Sequence, residues 1–282
     1  MITPVQQNEA LLADIASSRP SDLSVWWLGQ SGFLIRHQDI HFLFDPYLSD
    51  TLTEKYAATD KPHVRMTERV IDPGQLHFVS VATSTHVHTD HLDHGTLLPL
   101  RQVSPALQLV LPRAIRETAL ERLGDWGDNY LWMNAGESID IGSIRISAIP
   151  AAHNTLQTDE QGNHHFLGYL VELGGWKIFH SGDTLRYDGM ADWIDGPVDL
   201  AILPINGNQP ERRVAGNLDG AEAAALAQQI GAKIVIPCHF EMFEFNTATP
   251  ELFSRTCREI GQDFRVLKAG EKLTLPPAEG TA

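Results

Sequence analysis

The sequence predicts one α/β domain, on three observations. Runs rich in Val, Ile, Leu, Phe and Trp recur along the 282 residues, each of strand length and bounded by Gly, Asp or Pro. Helical segments with recognisable start and stop signals interrupt them. No Pro/Ser-rich linker, low-complexity tract or internal repeat divides the chain, so residues 1–282 read as a single unit.

The strand runs, in order, are SVWWLG (24–29), FLIR (33–36), HFLFD (41–45), FVSVAT (78–83), LQLVLP (107–112) and IRISAIP (144–150). FLGYLVEL (166–173), WKIFHSGD (176–183), VDLAILP (198–204), AKIVIPCHF (232–240) and FRVLKAGEKLTL (264–275) complete them. Gly174-Gly175 is a turn short enough to make an antiparallel hairpin of its neighbours. Among helices, LDGAEAAALAQQIGA is the clearest: Asp219 is placed as N-cap, Glu222 as its capping-box partner and Gly231 as the stop. TPELFSRTCREIG offers Thr249 as cap, Pro250 at the first helical position and Gly261 at the end. Residues 5–17 and 113–123 are weaker helix candidates. Residues 49–75, with Pro62, Pro73 and Gly74, are the least periodic part and read as a long loop or insertion, of the kind that often walls a binding site.

A hydrophobic content of 43% supports a sizeable core. The formal charge of −15, with no Lys/Arg run, argues against a polynucleotide or an anionic membrane as partner. No window has the roughly 18 or more apolar residues of a spanning helix, and the N-terminus lacks a basic region followed by an apolar run, so a cytoplasmic protein is expected. Cys238 and Cys257 are too few for a disulfide framework and are expected to be reduced packing residues.

The chemistry concentrates in THVHTDHLDH, residues 85–94, with four histidines and two aspartates in ten positions. His86, His88, Asp90 and His91 follow a strand, where loop ligands can converge, and imidazole with carboxylate suits zinc, iron or manganese. Three further residues stand just past strands and beside Pro or Gly: His153 in PAAHN, Asp183 in HSGDT and His239 in PCHF. Taken singly, each is most simply a hydrogen-bonded loop residue; their shared placement is what makes them ligand candidates. His180 lies inside a strand pattern and reads as a buried, satisfied histidine, and Trp26 and Trp27 read as core.

This order, HxHxDH followed by a lone His, a lone Asp and a lone His, resembles the metallo-β-lactamase superfamily over roughly residues 24–275. The resemblance implies a four-layer αββα sandwich with a binuclear site at one edge of two sheets. By position, His86, His88 and His153 would hold one divalent ion, Asp90, His91 and His239 a second, with Asp183 bridging. It further implies hydrolysis by a metal-bridging hydroxide, with Asp90 steering its proton. Zinc, manganese and iron all suit these donors. Asp93, His94, Ser181 and Thr184 are near enough in sequence to orient the ligands. WWLGQSGFLI (26–35) and VIPCHFEMFEFNTATPELF (235–253) are similar to the L-ascorbate-6-phosphate lactonase group, whose resemblance also leaves a homo-oligomer open.

The expected substrate is therefore a small anionic lactone or ester. A phosphodiesterase acting on a small or lipid phosphodiester is the alternative; a non-hydrolytic metal-binding protein is disfavoured by the complete ligand set. Substrate contacts are sought in LPINGNQPERRVAGN (203–217), where Asn206, Arg212 and Arg213 offer hydrogen bonds and charge, and at Arg186 beside Tyr187.

Overall fold

The computed structural model describes residues 1–277. Two sheets lie face to face. The first contains β1 (Leu23–Gly29), β2 (Gly32–His37), β3 (Ile40–Phe44), β4 (Val81–Thr83), β5 (Gln108–Pro112), β6 (Tyr130–Met133) and β13 (Lys272–Leu275), in the order β13-β1-β2-β3-β4-β5-β6. The second contains β7 (Ser138–Ile141), β8 (Ile144–Pro150), β9 (Leu167–Leu173), β10 (Trp176–His180), β11 (Leu200–Pro204) and β12 (Ile234–Cys238), in the order β12-β11-β10-β9-β8-β7. Each sheet is antiparallel on one side and parallel on the other: β3 to β6 run parallel in the first, β10 to β12 in the second.

Strand alternation sorts the side chains into layers. Val25, Trp27, Phe33, Ile35, Phe42 and Phe44 point between the sheets and meet Ile146, Tyr169, Val171 and Phe179. The intervening residues Trp26, Leu28, Leu34 and Leu43 point outward and are covered by α1 (Asn8–Ser17), α3 (His94–Val103) and α4 (Arg116–Leu123) through Leu11, Ile15, Leu97, Leu100 and Ala119. On the far side, α5 (Gly220–Gln229) and α6 (Glu251–Ile260) cover the second sheet through Ala223, Ala224, Leu226, Phe253 and Cys257. The result is the four-layer αββα sandwich. Trp26 and Trp27 are both buried, one in each layer, and both cysteines are free and buried.

Several elements differ from the sequence reading. Residues 130–133 and 138–141 form short strands that their four-residue lengths concealed; β7 alternates exposed and half-buried residues at the sheet edge. The 78–83 run pairs only over its last three residues, because Val79 instead donates to the Leu76 carbonyl in a turn. The 264–275 run breaks at Gly270, whose positive φ of 78° reverses the chain before β13. Residues 49–75 contain the short helix α2 (Thr51–Tyr56), and Leu52 packs with Tyr47, Met242 and Phe243. At α6 the N-cap position falls on Pro250 rather than Thr249, with no side-chain cap.

The capping box at α5 is present as read: Asp219 accepts from Ala221 and Glu222 backbone N–H groups, and Glu222 accepts from the Asp219 N–H. Asp219→Ala removes acceptors from the first turn, with an expected loss of about 1 kcal/mol and a melting-temperature drop of roughly 2–4 °C. Calorimetry on the two proteins checks this; Asp219→Asn is expected to recover most of the loss.

Candidate metal centre

Strand direction explains why distant residues meet. β1, β3, β8 and β10 all end at the same rim, because β1 and β3 flank the antiparallel β2 and β8 and β10 flank the antiparallel β9. The parallel strands β4, β11 and β12 end there too. Gln30 follows β1, Asp45 follows β3, His86 to His91 follow β4, His153 follows β8, Asp183 follows β10 and His239 follows β12. The rim borders a cavity of about 440 Å³ lined by His88, Asp90, His153, Asp183 and His239, with His86 and His91 fully buried beside them.

The structure thus brings together all seven residues picked from sequence. Their ligand-forming atoms fall into three triads whose members lie within 4.8 Å of one another: His86, His88 and His153; Asp90, His91 and His239; and His86, His91 and Asp183. His91 Nε2 lies 3.4 Å from Asp183 Oδ1 and 3.6 Å from Asp90 Oδ2; His239 Nε2 lies 3.2 Å from Asp183 Oδ2.

Two aspartates among histidines set the protonation. Burial alone pushes the carboxyls of Asp90 and Asp183 up, but the imidazoles of His91 and His239 outweigh it and hold both well below the usual carboxylate range. Reciprocally, burial pushes His91 and His239 down, and the carboxylates outweigh it: His91 is held well above the ordinary imidazole range and His239 is pushed up to about 9. His86, buried and surrounded by other imidazoles, is pushed well below its usual range and stays neutral.

A metal ion fits this donor set. Among the described residues, His86 Nε2, His91 Nε2 and Asp183 Oδ1 are buried without a hydrogen-bond partner of acceptable geometry. Each such orphan costs about 1–3 kcal/mol, and all three belong to the ligand triads. The opposite ring nitrogens are anchored. His91 Nδ1 is 2.7 Å from Asp45 Oδ2, His153 Nδ1 is 2.8 Å from the Gly216 carbonyl, and His86 Nδ1 is 3.1 Å from Thr85 Oγ1. Anchoring Nδ1 turns Nε2 toward the common centre.

The orienting residues differ from those sought in sequence. Asp45 is the principal one: it is fully buried and also accepts from Thr83 Oγ1 at 2.8 Å, the Thr85 N–H at 3.1 Å and the Thr85 hydroxyl. Gln30 is the second, donating from Nε2 to Asp90 Oδ2 at 2.8 Å while its carbonyl accepts from the His239 N–H at 3.0 Å. Their signal was the one the ligands gave, a polar residue immediately past a strand. Thr184 does act on a ligand loop, accepting from the Ala152 N–H at 2.9 Å next to His153. Asp93 instead caps α3 and binds the hydroxyls of Ser49 and Thr51 at 2.7 and 2.8 Å; His94 is exposed; Ser181 bonds the Gly182 carbonyl. His180 is the satisfied core histidine, its Nε2–H donating to the Ser31 carbonyl at 3.0 Å and its Nδ1 accepting from the Gly182 N–H at 3.1 Å.

The four substrate candidates are dispersed. Arg213 lines the cavity and is ion-paired with Asp60. Arg212 is tied to the Asn206 and Thr247 carbonyls at 2.6 and 2.7 Å, and Asn206 is buried between Asn217 and Asn246. These bonds brace the loop behind the cavity. Arg186 lies against Gln229 of α5, on the outer layer. The other cations facing the cavity are Lys55, Lys61 and Arg122.

Comparison with known proteins decides the family. The profile of the Beta-lactamase superfamily domain matches residues 41–240, the span holding every candidate ligand. A UPF0173 metal-dependent hydrolase of Alkaliphilus metalliredigens is 30% identical over 82% of this chain and 91% of its own length. The chain belongs to the metallo-β-lactamase superfamily and its UPF0173 metal-dependent hydrolase family. Another UPF0173 metal-dependent hydrolase, from Rubrobacter xylanophilus, is 28% identical over 83% of this chain and 88% of its own. The solved structure of Igni18, a metallo hydrolase from Ignicoccus hospitalis, shares the fold, with a TM-score of 0.66 at 20% identity over 90% of this chain and 98% of that one. Among the described residues of this UPF0173 protein, no helix is long and apolar enough to cross a membrane.

Two outcomes follow for this metal-dependent hydrolase. Asp45→Ala frees the His91 ring, and metal affinity is expected to fall roughly 10- to 100-fold, read by chelator competition. The second concerns pH. Because the His239 pKa is raised from 6.5 to about 9, its charged pairing stabilises the metal-free protein fully below pH 6.5 and is lost as pH rises through about 9. Ligation by His239 would need the neutral ring, so metal affinity is expected to climb across that interval while the stability of the metal-free protein falls. A flat metal affinity between pH 6.5 and 8.5 would contradict this.

Proposed function

We propose that this metal-dependent hydrolase binds two divalent ions and opens a small anionic lactone or cleaves a related ester. His86, His88 and His153 would hold one ion and Asp90, His91 and His239 the other, with Asp183 available to both sets. The observation that carries this reading is the trio of partnerless buried atoms, His86 Nε2, His91 Nε2 and Asp183 Oδ1, within overlapping triads at the cavity's edge. Two of the triads, His86/His88/His153 and Asp90/His91/His239, share no residue and so offer separate donor sets for two ions. Nitrogen and oxygen donors alone are compatible with zinc, manganese or iron. The buried thiol of Cys238, though adjacent to His239, is directed into the core cluster and its pKa is pushed well up by burial.

When bound, the ions acidify a water molecule and polarise the oxygen of the bond under attack. The chain's own groups do the rest. Asp90, held by Gln30 at 2.8 Å, would orient the attacking water and steer its proton toward the leaving oxygen. Leu52, Tyr56, Val87, Val214 and Phe243 supply apolar walls that limit water, and Arg213 contacts the substrate from the opposite loop. A cavity of about 440 Å³ suits a small molecule rather than a polymer. The net charge of −15 points the same way, since a long polyanion is repelled at a distance and only a small anion reaches the local cations.

Metal-loaded protein assayed against lactones, aryl esters and bis-para-nitrophenyl phosphate tests the reading. Turnover of lactone or ester above the phosphodiester is expected, and the reverse order would favour a phosphodiesterase. His86→Ala and Asp183→Ala are each expected to lower kcat by at least about a thousandfold, equivalent to roughly 4 kcal/mol, with the far-ultraviolet circular dichroism unchanged. Activity retained in either variant contradicts the ligand assignment.

A further inference from the structure

Four cationic side chains line the cavity, and they differ in what they hold. Arg122 Nη1 donates to the carbonyls of Val87 and Leu92 at 2.7 and 3.0 Å, bracing the ligand loop from behind. Arg213 is ion-paired with Asp60 through two exposed side chains. Lys61 Nζ donates to the Arg213 carbonyl at 2.6 Å. Lys55 is different. Its Nζ lies 3.3 Å from Thr89 Oγ1, the residue between His88 and Asp90, and 5.3 Å from the centre of the Tyr56 ring. Among the described residues no carboxylate pairs with Lys55, Lys61 or Arg122, although aspartate and glutamate outnumber lysine and arginine by 36 to 21 in this chain; of these three, only Lys55 binds a side chain of the ligand loop, the Thr89 hydroxyl.

An ammonium held at the flank of a site built for dications is repelled by them unless an anion lies between. A lysine in the last turn of α2 also complements the carbonyl end of that helix. That role, however, does not require the side chain to reach into the cavity as far as Thr89. The helix is also fixed in place: Leu52 and Tyr47 pack on Met242 and Phe243, beside the loop that carries His239, so the ammonium is presented from a braced wall.

We infer that Lys55 binds a second anionic group of the substrate, a carboxylate or phosphate set apart from the bond being hydrolysed. The inference rests on the hydrolase reading above and deepens it by naming the substrate class: a lactone or ester with a pendant anion a few bonds from its reactive carbonyl. Lysine suits this task because its compact point charge accepts either anion without a fixed bidentate geometry. The segment 49–75 therefore carries the selectivity of the cavity, and the strands carry its reactivity.

Binding measured without turnover separates this inference from its foundation. The metal-loaded protein is titrated calorimetrically with butyrate, which has one carboxylate for the metals, and with glutarate, which adds a second carboxylate at the far end of a chain of similar length. Glutarate is expected to bind about tenfold more tightly, within the range of a partly desolvated ion pair, and the preference is expected to shrink in about 0.5 M salt. In Lys55→Met the ratio falls to about one with metal content unchanged, and Lys55→Arg restores most of it. Equal affinities in the unaltered protein, or a preference that survives Lys55→Met, overturn the inference. Absence of lactone and ester turnover alongside a Lys55-dependent preference would instead sink the hydrolytic substrate reading and leave the anion site standing.

Discussion

The Asp45 carboxylate is the interaction on which the site depends. It lies where β3 ends, fully buried, and binds Thr83 at the end of β4, Thr85 at the start of the ligand loop, and the His91 ring. A buried carboxylate is costly unless its lone pairs are filled. Here they are, by hydroxyls, an amide and an imidazole, and its pKa is held below the ordinary value: burial pushes it up, but the hydrogen bond and charge of His91 outweigh that. The two neighbouring parallel strands are thereby locked in register with the loop that follows them, and His91 has a single ring orientation. Gln30 performs the equivalent task across the sheets, joining Asp90 of the first sheet to His239 of the second.

What was legible in the sequence follows from local density. HVHTDH places four ligand candidates in six positions, a concentration that packing alone does not produce, and His153, Asp183 and His239 were recognisable because each follows a buried strand. Asp45 and Gln30 occupy the same kind of position, yet a single Asp before Pro or a single Gln before Ser has ordinary turn functions, so nothing local marks them. Arg212 shows what charge alone leaves open. Its charge and loop suggested a substrate contact, and in the fold its hydrogen bonds run to the Asn206 and Thr247 carbonyls and to Asn246 Oδ1, whose proximity arises only from the folded loop. The fold behaves likewise: long apolar runs and the Asp219 capping box could be read directly, but β6 and β7 owe their pairing to neighbours already in place.

Charge is distributed in opposition to the overall balance. The chain is strongly acidic, while Lys55, Lys61, Arg122 and Arg213 gather at one cavity whose own aspartates are matched by histidines. Long-range repulsion and local attraction then act on different partners. A polyanion experiences the whole surface, whereas a small anion inside the cavity experiences mainly the nearest few charges, because screening in cellular salt limits the reach to about 8 Å.

Backbone strain completes the account of how the site is held. Gln30, Asp45 and His239 have positive φ values of 50°, 35° and 60°. For residues with a side chain such conformations cost roughly 1–2 kcal/mol each, and glycine would adopt them freely. Glycine, however, supplies neither the amide that holds Asp90, nor the carboxylate that orients His91, nor an imidazole. All three occur where the chain leaves a strand and must turn at once, because the side chain is needed at the rim itself rather than one residue later. The strain is tolerated because each turn is fixed by its neighbours: the His239 N–H donates to the Gln30 carbonyl at 3.0 Å, and Trp27 Nε1 donates to that same carbonyl at 3.0 Å. Trp27 is in turn stacked on Phe240 with ring centres 4.6 Å apart, so the core between the sheets bears directly on the geometry of the ligands. Stability of the sandwich and precision of the site are in this way the same set of contacts, which is why a tryptophan with no role in the chemistry sits one turn away from it.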